Sequence, residues 1–308
     1  MGGPDKSGLN WAQTYVLSAT ASCVAESTTY PFDITKTRLQ AAGEAGGAIS
    51  GAKRGLVGTM TGIVREEGMR ALYKGLFPAC LRHCVYSGIR VSAYESLREN
   101  VFKKDAEGHF ALWKGMLAGM SAGAIGQFVA TPTDLVKVQM QLDGKRILAG
   151  HAPRYTGTFN AFATIFRQGG MRALYTGWVP ACQRAALVQL GDLTTYDYAK
   201  HAIMRNLEVA DGPLLHAMSS GVAGLVAATM GAPADVVKTR IMNQPVDGAG
   251  RGTLYAGALD CLRKTVEHEG LSALYKGWLP TWMRMAPWSL AFFLSFEQLR
   301  KATGQESF

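Results

Sequence analysis

A single motif written three times at equal spacing restricts the possible folds more than any other property of the chain. Pro31-Phe32-Asp33-Ile34-Thr35-Lys36 returns as Pro132-Thr133-Asp134-Leu135-Val136-Lys137 and as Pro233-Ala234-Asp235-Val236-Val237-Lys238, 101 residues apart each time. Other landmarks keep the same frame. The run from Gly68 to Gly75 is matched by Gly170 to Gly177 and by Gly270 to Gly277, and Pro78 with Arg82 is matched by Pro180 with Arg184 and Pro280 with Arg284. Self-similarity of this kind means one structural unit repeated. The 308 residues divide into units 1–105, 106–207 and 208–308.

Each unit reads as two long helices with a short amphipathic one between them. An apolar run precedes each motif proline, and small residues recur in it every fourth position: Ser18 and Ser22, then Gly115, Gly119 and Gly123, then Ser220 and Gly224. That spacing lines one helical face and lets backbones approach closely, as helices do in lipid. About 20 such residues cross about 30 Å of hydrocarbon. A proline inside the helix crowds the carbonyl four residues back, at Ser27, Phe128 and Thr229, so a kink is expected at the same level in each unit. After a glycine-rich connector beyond Gln40, residues Leu56–Glu66, Phe159–Gln168 and Leu259–Glu267 read as the amphipathic helices, each closed by a glycine. Lys145, Arg146, Arg154 and Arg251 in the connectors mark the side that keeps positive charge. The second spans cover Leu76–Glu99, Trp178–His201 and Trp278–Ala302, with proline tolerated in the first turn. The expected fold class is an all-α membrane protein of six transmembrane helices in three pseudo-threefold repeats, with both chain ends opposite the amphipathic helices.

Composition limits the function. The chain is 48% hydrophobic and only 18% charged, yet its mean hydropathy of +0.03 does not by itself decide a membrane location. A net charge of +9 suits nucleic acid, anionic lipid or an anionic solute. The basic residues are spread through all units with no zinc-ligand spacing or RNA-binding signature, so nucleic acid is not an expected partner. Cys23, Cys80, Cys84, Cys182 and Cys261 form no Cys-x-x-Cys pair and no cluster with histidine. They read as buried reduced thiols, and no metal or cofactor is expected. The first ten residues lack the features of a signal or transit peptide, so any organelle address is expected to be internal. No P-loop, Gly-x-Ser-x-Gly or His-Glu-x-x-His is present, and the six histidines are scattered, so an enzyme is not expected.

Charge inside the spans carries the functional argument. An ionisable group at mid-bilayer costs about 2.5 to 3.5 kcal/mol on insertion scales. Asp33/Lys36, Asp134/Lys137 and Asp235/Lys238 therefore need partners: each pair meets within its own helix, or the three acids and bases pair between units as a ring. Glu95/Arg98, Asp197/Lys200 and Glu297/Arg300 offer a second ring at the opposite end. Two rings around one cavity are two gates, the condition for alternating access. Between them Arg82, Arg184 and Arg284 stand 13 positions before the second-ring acids, hence at one depth, and read as an anion site or as partners of Asp192 or Glu26. Arg90 and Asp192 share another level, where the third unit has Phe292; Glu26, Gln127 and Ala228 share a third. Glu26 and Asp192 break the threefold pattern and read as proton-handling or specificity residues, or as members of structural ion pairs.

With three copies of Pro-x-Asp-x-x-Lys followed by the glycine, aromatic and basic motif, the chain resembles the mitochondrial carrier family. Val85 to Arg90, Gly191 to Asp197 and Gly231 to Pro245 are similar to its uncoupling-protein branch, and within that to the brain-type class. The resemblance implies a multi-pass inner-membrane carrier with both termini toward the intermembrane space. It further implies regulated proton leak with fatty acids as activators and purine nucleotides as inhibitors, kinship with C4-dicarboxylate exchangers, cardiolipin as a lipid partner and a functional monomer. Arg82, Arg90, Arg184 and Arg284 would meet phosphates or carboxylates; Asp192 would tune nucleotide binding with pH, and Glu26 would serve proton conduction. The matrix gate would be the first ring, braced by Gln40 and Gln141 with Met242 at the third place. The cytoplasmic gate would be the second ring, braced by Tyr94 and Tyr196 with Phe296 at the third. Gln139 departs from the pattern, a base being usual there.

Two alternatives remain beside the uncoupling reading: a C4-dicarboxylate or aspartate exchanger using the same arginines, and a carrier-fold scaffold that no longer transports. If the first ring joins neighbouring units, Lys137→Ala lowers transport and a compensating change at Asp33 restores part of it. Reconstituted flux checks this; independent losses with no recovery in the pair contradict an inter-unit ring.

Overall fold

The computed structural model describes residues 11–41, 55–101, 112–148, 152–207, 213–245, 247 and 252–302. In chain order its helices are α1 (Trp11–Gln40), α2 (Leu56–Glu67), α3 (Leu76–Ser96), α4 (Leu112–Leu148), α5 (Thr158–Leu174), α6 (Trp178–Leu207), α7 (Pro213–Asn243), α8 (Ala258–Glu269) and α9 (Trp278–Ala302). Short 3-10 turns at Met69–Tyr73 and Leu271–Tyr275 lead into α3 and α9, and a π turn at Leu97–Val101 follows α3. The motif prolines Pro31, Pro132 and Pro233 lie inside α1, α4 and α7, which continue through them.

Six long helices close into one ring across the unit boundaries. α1 packs along α9, α3 along α4 and α6 along α7, while α1 with α3, α4 with α6 and α7 with α9 complete the circuit. The ring is inside out relative to a soluble bundle. Glu26, Asp33, Lys36, Gln127, Asp134, Lys137, Gln141, Asp235 and Lys238 are buried within it. Val16, Leu117, Phe128, Val222, Leu225, Leu290, Phe293 and Leu294 are exposed outside. A polar interior within an apolar rim is what a hydrocarbon surrounding selects. Among the described residues, Met218–Asn243 is the stretch that is long and apolar enough to pass as a span on its own hydropathy; in the other long helices the interior charges lower the average. The outward sides of α2, α5 and α8 also show Val57, Phe159 and Leu259, as helices lying on a membrane surface do.

The glycine before each even-numbered span has a specific task. Gly75 and Gly277 have φ of 88° and 84°, a left-handed backbone that side chains resist. A Cβ on Gly75 would stand 2.8 Å from the Tyr30 hydroxyl, and one on Gly277 would stand 3.0 Å from Gln40 Cγ. These turns thus seat α3 against α1 and α4, and α9 against the end of α1.

Where sequence and structure differ, the reasons are local. α4 runs on to Leu148 through Lys145 and Arg146, which read as a connector; the stretch from Gln139 to Leu148 holds mostly good helix formers. α5 extends to Leu174 but breaks at Gly170, with φ of 63°. α6 continues past His201 to Leu207. The five cysteines are thiols outside any disulfide, but only Cys261 is fully buried; Cys23, Cys80, Cys84 and Cys182 are half-buried against the expectation. The glycine-rich connector and Arg251 lie outside the described residues.

The amphipathic face is held by a second set of ion pairs, in units one and three. Arg38 forks onto Glu67, and Arg240 reaches the Glu269 carboxylate at 2.6 and 2.9 Å. Lys74 and Lys276 add contacts to the same carboxylates at 3.8 and 2.5 Å. In unit two all three members are replaced at once, by Gln139, Gly169 and Thr176. Gln139 donates instead to the Met242 carbonyl at 3.1 Å and accepts from the Tyr155 hydroxyl. Its departure from the pattern is therefore a matched loss, since a base there would be buried without an acid. Burial pushes the Glu269 carboxyl up, but the hydrogen bonds from Arg240 and Lys276 outweigh it and hold the group below the usual carboxylate range. Its stabilising contribution is complete above the unfolded-state value and is lost as pH falls through the folded one.

Removing one partner of such a pair is costly because the other charge stays buried. We expect Arg240→Met to cost about 3 kcal/mol and Gln139→Arg to destabilise as well. Adding Gly169→Glu to Gln139→Arg should recover part of the loss. Thermal unfolding of the purified protein checks all three.

Candidate anion-binding cavity and its gate

The proline motif places its acid and base one helical turn apart, and the ring geometry decides which of them meet. Lys36 Nζ lies 2.7 Å from Asp235 Oδ2, Lys137 Nζ 2.6 Å from Asp33 Oδ2, and Lys238 Nζ 2.6 Å from Asp134 Oδ2. Every pair joins different units, so α1, α4 and α7 are tied in a closed cycle. The six side chains retain between 5% and 11% of their exposure, so the ring seals the cavity at that level. Gln141 braces it, donating to Asp33 at 3.1 Å and accepting from Thr37 at 2.8 Å; Gln40 accepts from Thr239 at 2.9 Å. The side chain of Met242 at the third position is fully buried and packs in an apolar cluster with Leu135 and Val138.

Just above the ring stand the three arginines, each directed at one of its acids. Arg82 Nε is 3.4 Å from Asp134 Oδ1, Arg184 Nε 2.5 Å from Asp235 Oδ1, and Arg284 Nη1 3.3 Å from Asp33 Oδ1. Each aspartate is thus held by a lysine and an arginine. The fit is incomplete, because Nε of Arg82 and of Arg184 is buried without a well-directed hydrogen bond. These groups line a polar cavity of about 70 Å³.

The level of Glu26, Gln127 and Ala228 shows how the symmetry is broken. Glu26 is fully buried and bonds Lys137 Nζ at 3.0 Å, Arg284 at 3.2 Å and the His83 ring at 3.1 Å. Gln127 donates to Asp134 at 2.6 Å. Six cations against four carboxylates leave two positive charges in excess at the cavity floor, His83 aside. Arg90 stands apart, with its guanidinium 5.6 Å from the Tyr86 ring centre, and Asp192 is exposed.

The opposite end differs. Asp197 and Glu297 keep 47% and 44% of their side-chain exposure; Asp197 is 3.8 Å from His201 and Glu297 is 2.9 Å from Lys301, each within its own helix. Glu95 is exposed, and Tyr94, Arg98, Tyr196 and Lys200 are half-buried; the Arg300 side chain lies outside the described part. The cavity is therefore shut at the amphipathic face and wet at the face of the chain ends.

A family model described as mitochondrial carrier protein matches residues 7–105, 108–207 and 210–307. The chain belongs to the mitochondrial carrier family. It resides in the mitochondrial inner membrane, and it is a carrier of the uncoupling-protein type. It is 42% identical to mitochondrial uncoupling protein 3 of Arabidopsis thaliana over 297 residues, 95% of each chain. Mitochondrial uncoupling protein 4C of Drosophila melanogaster is 39% identical, over 97% of this chain and 90% of its own.

The threefold motif led to the ring residues and the arginines of this carrier, but not to His83, Tyr30 or Trp288. Those side chains gain their meaning from neighbours remote in sequence. Only the succession Arg82-His83 at a marked depth gave a signal for the histidine.

The pair Lys36–Asp235 offers the cleanest energetic test. In a cycle of Lys36→Gln, Asp235→Asn and the double variant, we expect a coupling of about 1 to 3 kcal/mol in thermal unfolding. Additivity within about 0.5 kcal/mol would show that the two charges do not share the ring bond.

Proposed function

We propose that this carrier moves small anions by alternating access and conducts a regulated proton leak, activated by fatty acids and inhibited by purine nucleotides. The observation that carries the reading is the arginine layer: three guanidiniums, two of them of incomplete fit, above a sealed ring, on a floor with two excess positive charges. An anion entering from the wet side accepts hydrogen bonds from Arg82, Arg184 and Arg284, which suit carboxylate and phosphate. Every arginine drawn to the anion leaves its aspartate with one close cation, the ring lysine, in place of two. A pair 4 Å apart attracts by about 4 kcal/mol at an effective dielectric of 20, before desolvation. Loss of such contacts weakens the closed gate only when cargo is bound.

In this reading units 1–105, 106–207 and 208–308 rock together. The matrix gate is Asp33, Lys36, Asp134, Lys137, Asp235 and Lys238 with Gln40 and Gln141. The cytoplasmic gate is Glu95, Arg98, Asp197, Lys200, Glu297 and Arg300 with Tyr94 and Tyr196, closing as the other opens. The chain ends face the intermembrane space, and anionic lipid such as cardiolipin holds the amphipathic helices. Arg90 and Asp192 meet the outer part of a nucleotide.

A second reading has its own support. An excess of two charges suits a C4 dicarboxylate or aspartate better than a nucleotide, so metabolite exchange uses the same floor. Liposomes containing the purified carrier separate the two. Fatty-acid-dependent proton flux blocked by purine nucleotide is the expected result; malate, succinate or aspartate exchange without that flux supports the second reading and contradicts the first. Arg184→Gln should lower either flux by about 10-fold to 100-fold, the worth of a charged hydrogen bond or two.

A further inference from the structure

His83 sits beside the cavity floor, against Arg82 of its lining, and anion binding as described makes no use of it. Its Nε2 lies 3.1 Å from Glu26 Oε2 and 3.3 Å from Arg82 Nη2. These neighbours require opposite states of one atom. Carrying a hydrogen, Nε2 donates to the carboxylate and has nothing to offer the guanidinium; bare, it accepts from the guanidinium and faces the carboxylate lone pair to lone pair. Trp288 of α9 stacks on the ring at 6.0 Å with planes 26° apart, which holds the imidazole between its two partners.

The remaining charges around His83 come from each helix packed there. Glu26 approaches from α1, Arg82 from α3, Lys137 from α4 through Glu26 Oε1 at 3.0 Å, and Arg284 from α9 through Glu26 Oε2 at 3.2 Å. Arg82 has a second commitment, with Nε 3.4 Å from the gate acid Asp134. The imidazole thus stands between the asymmetric corner of Glu26 and one arm of the gate.

We infer that His83 is a proton-operated positioning residue for Arg82. The uncharged ring, with its hydrogen on Nδ1, accepts at Nε2 from Arg82 and keeps that guanidinium against the wall and the gate. On taking a proton from the cavity, Nε2 donates to Glu26, repels Arg82 and frees it for an anion, so a dianion and a proton enter the floor together. The inference rests on the anion-carrier reading. It adds a residue that couples the proton to the anion.

The test uses inorganic sulfate, a dianion across the whole range, with binding to the purified full-length carrier measured by calorimetry. We expect wild-type affinity to rise at least about fivefold between about pH 8 and about pH 6, the range in which histidine changes charge. Proton uptake should accompany binding, read from runs in buffers of different ionisation enthalpy. His83→Gln keeps a donor and an acceptor but cannot titrate, so its affinity should vary less than about twofold over that range. A His83→Gln protein with the wild-type slope overturns the inference, as does a slope abolished by Asp192→Asn and kept in His83→Gln. Should the glutamine variant not fold, the wild-type protein decides alone: sulfate bound with no proton uptake overturns the role of His83 and leaves the carrier reading standing. Sulfate bound at neither pH overturns both.

Discussion

Charge buried in a membrane-spanning ring must be satisfied by charge from a neighbouring helix, and this carrier is built around that requirement. Lys36, Lys137 and Lys238 cannot stay ionised in a shielded interior without a close acid. Asp235, Asp33 and Asp134 supply it from another unit each time. The cycle closes only when α1, α4 and α7 converge. The bonds that neutralise the interior are thus the same bonds that shut the cavity. Left open, the ring would expose the six groups to water, where they are stable apart. In the proposed cycle the closed ring and an open one are of comparable energy, and the arginine layer lets an anion choose between them.

Repetition made most of this readable in the sequence. Three prolines in one frame located the interior helices, and equal offsets to Glu95, Asp197 and Glu297 put the three arginines at one depth. Which acid each lysine takes was not readable, because an acid and a base three residues apart can also pair along their own helix; only the packing of the ring selects the neighbour. The Gln139 departure became intelligible when Gly169 and Thr176 were seen to be the missing partners of an ion pair present in the other units. His83 was opaque for a similar reason. Its carboxylate partner is 57 residues earlier in the chain and meets it only where α1 and α3 converge.

Symmetry and its breach divide the labour. In the proposed cycle, what recurs in every unit, the ring and the arginines, serves opening and closing. What occurs once, Glu26 with His83 and Trp288, breaks the threefold pattern beside the cavity, where we propose that a cargo without threefold symmetry is recognised. The aromatic ladder Trp288, Phe292 and Phe296 on α9, with ring centres 5.4 and 5.9 Å apart, gives that helix a wall unlike those of α3 and α6.

The claim that the inter-unit ion pairs keep the amphipathic face shut until an anion withdraws the arginines has a direct test. Spin labels on α2 and α5 report the separation of two units at that face by pulsed electron resonance. Without anion, one short and narrow distance distribution is expected, and saturating transported anion should add a longer population while labels near the ends of α3 and α6 draw together. Distances at both faces that stay fixed in saturating anion, in a protein that still transports, would contradict the account.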